Sequence, residues 1–155
     1  MEAKQQGFSL LEVLISVVIL SIGMLGIAAM QASAIRYNHS AELRSLAVTQ
    51  ASNMVDRMLA NSQGVTNGSY SNATGMPADP NCSTCTSTQI AQRDIHEWNS
   101  SNQQLLPSGQ GTIVRNANRF IITIRWDNDR SGATGLGCSG NLSVDMACLI
   151  MEVQI

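Results

Sequence analysis

Cys82-Ser83-Thr84-Cys85 is a C-x-x-C, and its spacing admits three kinds of chemistry. Two thiols so placed can close a short disulfide, exchange disulfides with a partner, or supply half of a four-cysteine metal site. The redox and metal roles belong with a cytosolic βαβ setting, and no βαβ pattern surrounds these residues. The remaining cysteines are Cys138 and Cys148, so the count is even and all four lie after residue 80. Four cysteines allow three connectivities. Cys82–Cys85 with Cys138–Cys148 is the favoured one, and a four-cysteine zinc site is the alternative. Asp127-Asn128-Asp129-Arg130-Ser131-Gly132 follows the first half of a calcium loop, with Asp127, Asp129 and Ser131 at the ligand positions. The twelfth position is Cys138 in place of the bidentate Glu, and Arg130 puts a cation inside the loop, so a plain polar turn is the stronger expectation. His39 and His96 lie far apart and share no metal or catalytic spacing. No G-x-S-x-G, H-E-x-x-H or phosphate-cradling glycine loop is present. The chain is therefore expected to be neither an enzyme nor a holder of a cofactor.

The remaining chemically unusual residue is Glu12. It lies at the start of an apolar run, Val13 to Ile35, whose 23 residues contain no charge. As a helix the run reaches about 35 Å, enough for a hydrocarbon core of about 30 Å. A cleaved secretory signal has a shorter apolar region and a small-residue cut site at its far end, and this run has neither. A simple anchor explains the length and leaves the acid unexplained, because a carboxylate in the apolar phase costs about 2.5–3.5 kcal/mol at a helix centre and less near an end. Gly23 and Gly26 interrupt the run, and close helix packing is the plainer account of them. Local unwinding on assembly is the other.

Gly7-Phe8-Ser9-Leu10-Leu11-Glu12, followed by the apolar run, resembles the signal of type IV prepilins and pseudopilins. The resemblance implies that a membrane peptidase cuts between Gly7 and Phe8 and methylates the new N-terminus on Phe8. Residues 1–7 would be the leader, residues 8–35 the transmembrane and filament-core helix, and residues 36–155 the periplasmic globular domain. It also implies that Glu12 faces the α-amine of a neighbouring Phe8 in the filament. A buried charge is tolerable when paired and costly alone, so that pairing would set the register of one subunit on the next. A periplasmic domain with an even cysteine count also fits an oxidising compartment.

Helical periodicity continues past the membrane run. Residues 31–61 hold no proline or glycine, and Leu43, Leu46, Ala47, Ala51, Met54, Val55, Met58 and Leu59 recur at helical spacing. One helix is expected over residues 8–60, with Arg44, Gln50, Asn53 and Arg57 on the wetter side and the methionines as core filler. Residues 61–87 are rich in Asn, Ser, Thr and Gly and read as a long surface loop. A short amphipathic helix is expected over residues 88–98. The period then changes to two: strands are expected at 112–115, 119–127 and 146–155, with Phe120, Ile122, Ile124 and Trp126 on one face and Thr123 and Arg125 on the other. The fold class expected is α+β and pilin-like: a long N-terminal α-helix packed on a small antiparallel β-sheet of at least three strands.

Gly23-Met24-Leu25-Gly26, Asp56-Arg57-Met58-Leu59-Ala60-Asn61, Asp94-Ile95-His96-Glu97-Trp98, Leu106-Pro107-Ser108-Gly109-Gln110-Gly111 and Ile124-Arg125-Trp126-Asp127 look like the PilV-type minor pilins. That resemblance implies a low-abundance subunit that primes type IV pilus assembly, near the tip. Its partners would be other minor pilins, the major pilin, prepilin peptidase, the inner-membrane assembly platform and inner-membrane lipid. A pseudopilin of a type II secretion or competence system shares the N-terminal features. A membrane-anchored binding domain or adhesin is the reading from another class. With nine Lys+Arg against eleven Asp+Glu and no basic stripe, nucleic-acid binding by the chain itself is not expected.

Overall fold

The computed structural model describes residues 9–155. The elements are α1 (Leu10–Ala60), α2 (Ser62–Thr66), β1 (Asn72–Thr74), α3 (Ser87–Leu105), β2 (Gln110–Asn116), β3 (Arg119–Trp126) and β4 (Ala147–Gln154). The strands form one antiparallel sheet in the order β1-β2-β3-β4. This is the expected α+β, pilin-like fold: a long N-terminal helix packed on a small antiparallel sheet. The chain divides into two compact units, one ending at Ser40 and one spanning Ala41–Ile155.

In the first unit every described residue from 9 to 39 is exposed. None of the described residues covers the apolar side chains of residues 13–35. In the second unit α1 buries Leu43, Ala47, Gln50, Ala51, Met54 and Met58, one face at helical spacing. These pack with Ile113 of β2 and Phe120, Ile122, Ile124 and Trp126 of β3, the alternate residues of the strands' inner face. Leu59 departs from the expectation and is exposed, one step of about 100° round the helix from the buried Met58. Gln50, expected on the wet side, is buried: its backbone carbonyl accepts the Trp98 indole N–H at 2.8 Å and its carboxamide donates to Ser101 Oγ at 3.0 Å.

The segment expected to be a loop over 61–87 is partly ordered as α2 and β1. Asn61 caps α2, its side chain accepting the Gly64 N–H at 3.2 Å. β1 pairs with β2 and makes the sheet four-stranded, one strand more than the expected minimum. α3 is longer than expected, running to Leu105. It begins with a capping box in which Thr86 and Gln89 satisfy each other's backbone N–H. Thr123, expected on the outer face of β3, is also buried.

The turn after α3 explains its glycines sterically. Ser108 adopts φ +53°, Gly109 lies against the Asn102 carbonyl, and Gly111 lies against the Trp98 ring, leaving no room for a Cβ at either glycine. The Gly111 N–H donates to Asn99 Oδ1 at 2.8 Å. Leu106-Pro107-Ser108-Gly109-Gln110-Gly111 thus couples the end of α3 to the start of β2.

Candidate assembly site

Of the residues singled out at the N-terminus, Gly7 and Phe8 lie outside the described residues. Glu12 falls in the first turn of α1, where a carboxylate favours the exposed amides of the helix start. The Leu11 N–H donates to Ser9 Oγ at 3.3 Å and the Glu12 N–H to the Ser9 carbonyl at 3.0 Å, so Ser9 closes the helix start. Beyond Glu12 the serines of the run are satisfied inside the helix: Ser16 and Ser21 each donate to the carbonyl four residues back at 2.7 Å, and Ser33 does so at 3.2 Å. This leaves an apolar surface with one acid at its head. At Gly23 and Gly26 an added Cβ would meet nothing within 4 Å, so no contact inside this chain calls for glycine. The first α-helix is long and apolar enough to cross a membrane.

The cysteine sulfurs are joined as Cys82–Cys85 and Cys138–Cys148, with Cα–Cα separations of 5.4 and 5.7 Å. Cys82–Cys85 stands just before the Thr86 cap of α3. Cys138–Cys148 fastens the segment after β3 to β4. Between these ends the Asp145 carboxylate accepts the Gly137 and Ser139 amides at 3.2 and 3.1 Å. Hydrogen bonding from Ser139 and Gly137 holds its pKa below the ordinary value.

Asp127, the first calcium-loop candidate, spends its oxygens on its own turn. Oδ1 accepts the Ser131 N–H at 3.0 Å and Oδ2 the Gly132 N–H at 2.8 Å. Burial would raise its pKa, and these amides outweigh burial, so the carboxyl titrates below its usual range. Asp129 accepts from the Asn128 carboxamide at 2.8 Å, and the Ser131 hydroxyl donates to the Leu142 carbonyl at 2.9 Å. Asp127 and Ser131 are thus engaged with each other and Asp129 with its neighbour Asn128, in a turn held by amides. Among the described residues no three His, Cys, Asp or Glu side chains gather as a metal would require. His96 points Nδ1 at the Pro77 carbonyl, 2.8 Å away, as part of a loop tether.

One polar cluster escaped the sequence reading. The Tyr70 hydroxyl, fully buried, donates to Asp94 Oδ2 at 2.6 Å and accepts from Asn61 Nδ2 at 3.0 Å. Burial and the bond to Asp94 raise the Tyr70 pKa well above its ordinary value. Arg57 reaches Asp94 at 3.2 Å and Glu97 at 2.7 Å. The segments 56–61 and 94–98, quoted above for their resemblance, therefore meet through Arg57, Asn61, Asp94 and Glu97. The available signal was the recurrence of opposite charges in two helical segments. Tyr70, in the expected loop, gave none.

A family model described as the prokaryotic N-terminal methylation motif matches residues 3–28. The match supports a type IV pilin-like protein and points to a structural subunit rather than an enzyme. With the apolar first helix it fits an inner-membrane-anchored pilin and suggests association with pilus components and prepilin peptidase in general. No curated protein and no solved structure gives a significant match.

Proposed function

We propose that the chain is a minor pilin, processed between Gly7 and Phe8 and methylated on Phe8, that primes type IV pilus assembly from a position near the tip. The observation that carries this reading is the methylation motif over residues 3–28 on a helix whose apolar surface is wholly uncovered. Such a surface requires an apolar phase: lipid while the subunit waits in the inner membrane, and neighbouring helices once it enters a filament. Residues 1–7 act as the leader, 8–35 as the membrane and filament-core segment, and 36–155 as the periplasmic domain, in which both disulfides form. The partners are other minor pilins, the major pilin, prepilin peptidase and the assembly platform. Glu12 meets the methylated amine of a neighbour's Phe8, a partner created only when the Gly7–Phe8 bond is cut.

Mass analysis of the mature N-terminus tests processing, with methyl-Phe8 expected; retention of Met1 to Gly7 sinks it. Deletion of the gene tests the role, with loss of surface pili and normal export of secreted enzymes expected. The reverse outcome assigns the chain to a secretion pseudopilus.

A further inference from the structure

We propose that the cleft between β1 and the N-terminal half of α3 binds an extended, uncharged peptide segment, which adds to β1 as a fifth strand. The cleft has a volume of about 300 Å³ and no charged residue lines it. That volume lies at the lower end of the range, about 300–1,000 Å³, that small-ligand sites occupy.

The argument begins with the ladder. The Arg115 N–H donates to the Ser71 carbonyl at 2.8 Å, while Asn72, Ala73 and Thr74 lie opposite Val114, Ile113 and Thr112. Hydrogen bonding alternates along an antiparallel pair. Ala73 therefore exchanges bonds with Ile113, and Asn72 and Thr74 turn their N–H and C=O groups away from β2. Neither residue's backbone finds another partner among the described residues. β1 thus presents two complete backbone donor–acceptor pairs on its free edge, the arrangement to which an extended peptide adds.

The walls around that edge are already fixed. Past β1 the chain is strapped to α3 by three side chains of one helix face. Asn99 donates to the Gly75 carbonyl at 3.0 Å, Gln92 to the Ala78 carbonyl at 2.8 Å, and His96 Nδ1 faces the Pro77 carbonyl at 2.8 Å. At the other end Ser69 donates to the Thr88 hydroxyl at 3.2 Å. Ala73 and Ile95, both buried, form an apolar floor. A preformed cleft spares an incoming strand the cost of ordering its site. The neutral lining selects against charged segments, since nothing in it would compensate a desolvated charge. At about 3.3 Å per residue, three residues of β1 match a segment of about 10 Å. The opposite edge, β4, is longer, but no cleft borders it among the clefts described.

The test uses the full-length protein in detergent micelles and the pentapeptide N-acetyl-Val-Thr-Val-Thr-Val-amide, whose β-branched residues favour an extended form. Titration calorimetry is expected to show saturable binding. Two forms N-methylated on alternate residues, so that opposite peptide edges are blocked, should differ in affinity by tenfold or more. Amide exchange at Asn72 and Thr74 should slow at least tenfold when the peptide is present. Asn72→Pro removes one outward donor and leaves the bonds to β2 in place, and should weaken binding tenfold with the circular dichroism spectrum unchanged. Should that variant fail to fold, the methylated peptides still decide. Absence of binding at millimolar peptide, equal affinity for the two methylated forms, protection of β4 instead of β1, or displacement of the peptide by galactose or N-acetylglucosamine each overturns the proposal.

Discussion

Tyr70 holds one hydroxyl between two partners that cannot replace it. Remove that hydroxyl and Asp94 Oδ2 loses its donor inside a buried cluster, while Asn61 keeps its bond to the Ser87 carbonyl at 2.8 Å. An unsatisfied buried polar group costs about 1–3 kcal/mol, and more when charged. Arg57 serves the same carboxylate from a half-exposed position, with 29% of its side chain accessible, so solvent screens its contribution. Tyr70→Phe is therefore expected to destabilise the second unit by about 1–3 kcal/mol, and Arg57→Ala by about 1 kcal/mol or less. Unfolding of the detergent-solubilised protein, followed by tryptophan fluorescence, checks the order. Equal losses would mean that the hydroxyl is not the centre of the cluster.

At the scale of elements, the last strand is held by its ladder to β3 and by a cross-link. β4 pairs only with β3, and none of its residues is fully buried. Ring closure across the ten-residue separation of Cys138 and Cys148 is worth about 2.5–3 kcal/mol in the chain-entropy account. If both pairs form, the unreduced protein weighs four hydrogens less than the sequence mass, and Cys148→Ser unfolds more easily by about 2–3 kcal/mol. A mass without that deficit removes the proposal. The strands β2, β3 and β4 were legible in the sequence because apolar residues alternate along them. β1 was not: Asn72, Ala73 and Thr74 are small or polar, and what makes them a strand is pairing with residues some forty positions later. The same reason hid Gln50, whose partner Trp98 lies 48 residues away. α3 was cut short because Asn99 and Asn102, beyond Trp98, are buried polar residues, and a hydrophobic pattern does not count them. In the candidate assembly site the acid ahead of an uncharged apolar run was the most legible feature, since it is a purely local signal. The Tyr70 cluster was the least, since it exists only when three distant segments meet.

For the whole molecule, the proposed function rests on what other chains do to the first unit. In isolation Glu12 is an exposed carboxylate at a helix start. In the proposed filament it is a charge in an apolar bundle, tolerable only beside a cation. Glu12→Ala should fold and insert as wild type but lose at least tenfold of its incorporation into pili, measured by immunoblot of sheared filaments. Incorporation at the wild-type level would remove the register role.

The second half of α1 is pinned to α3 at two places, Gln50 to Trp98 and Arg57 to Asp94 and Glu97. On α1 these grips stand seven residues apart, two turns or about 10 Å; on α3 they fall within one turn or so. Two separated pins on a rod resist both sliding and rotation, which a single pin does not. A pull along α1 is therefore delivered to the second unit as shear across several bonds at once, rather than peeling them one at a time.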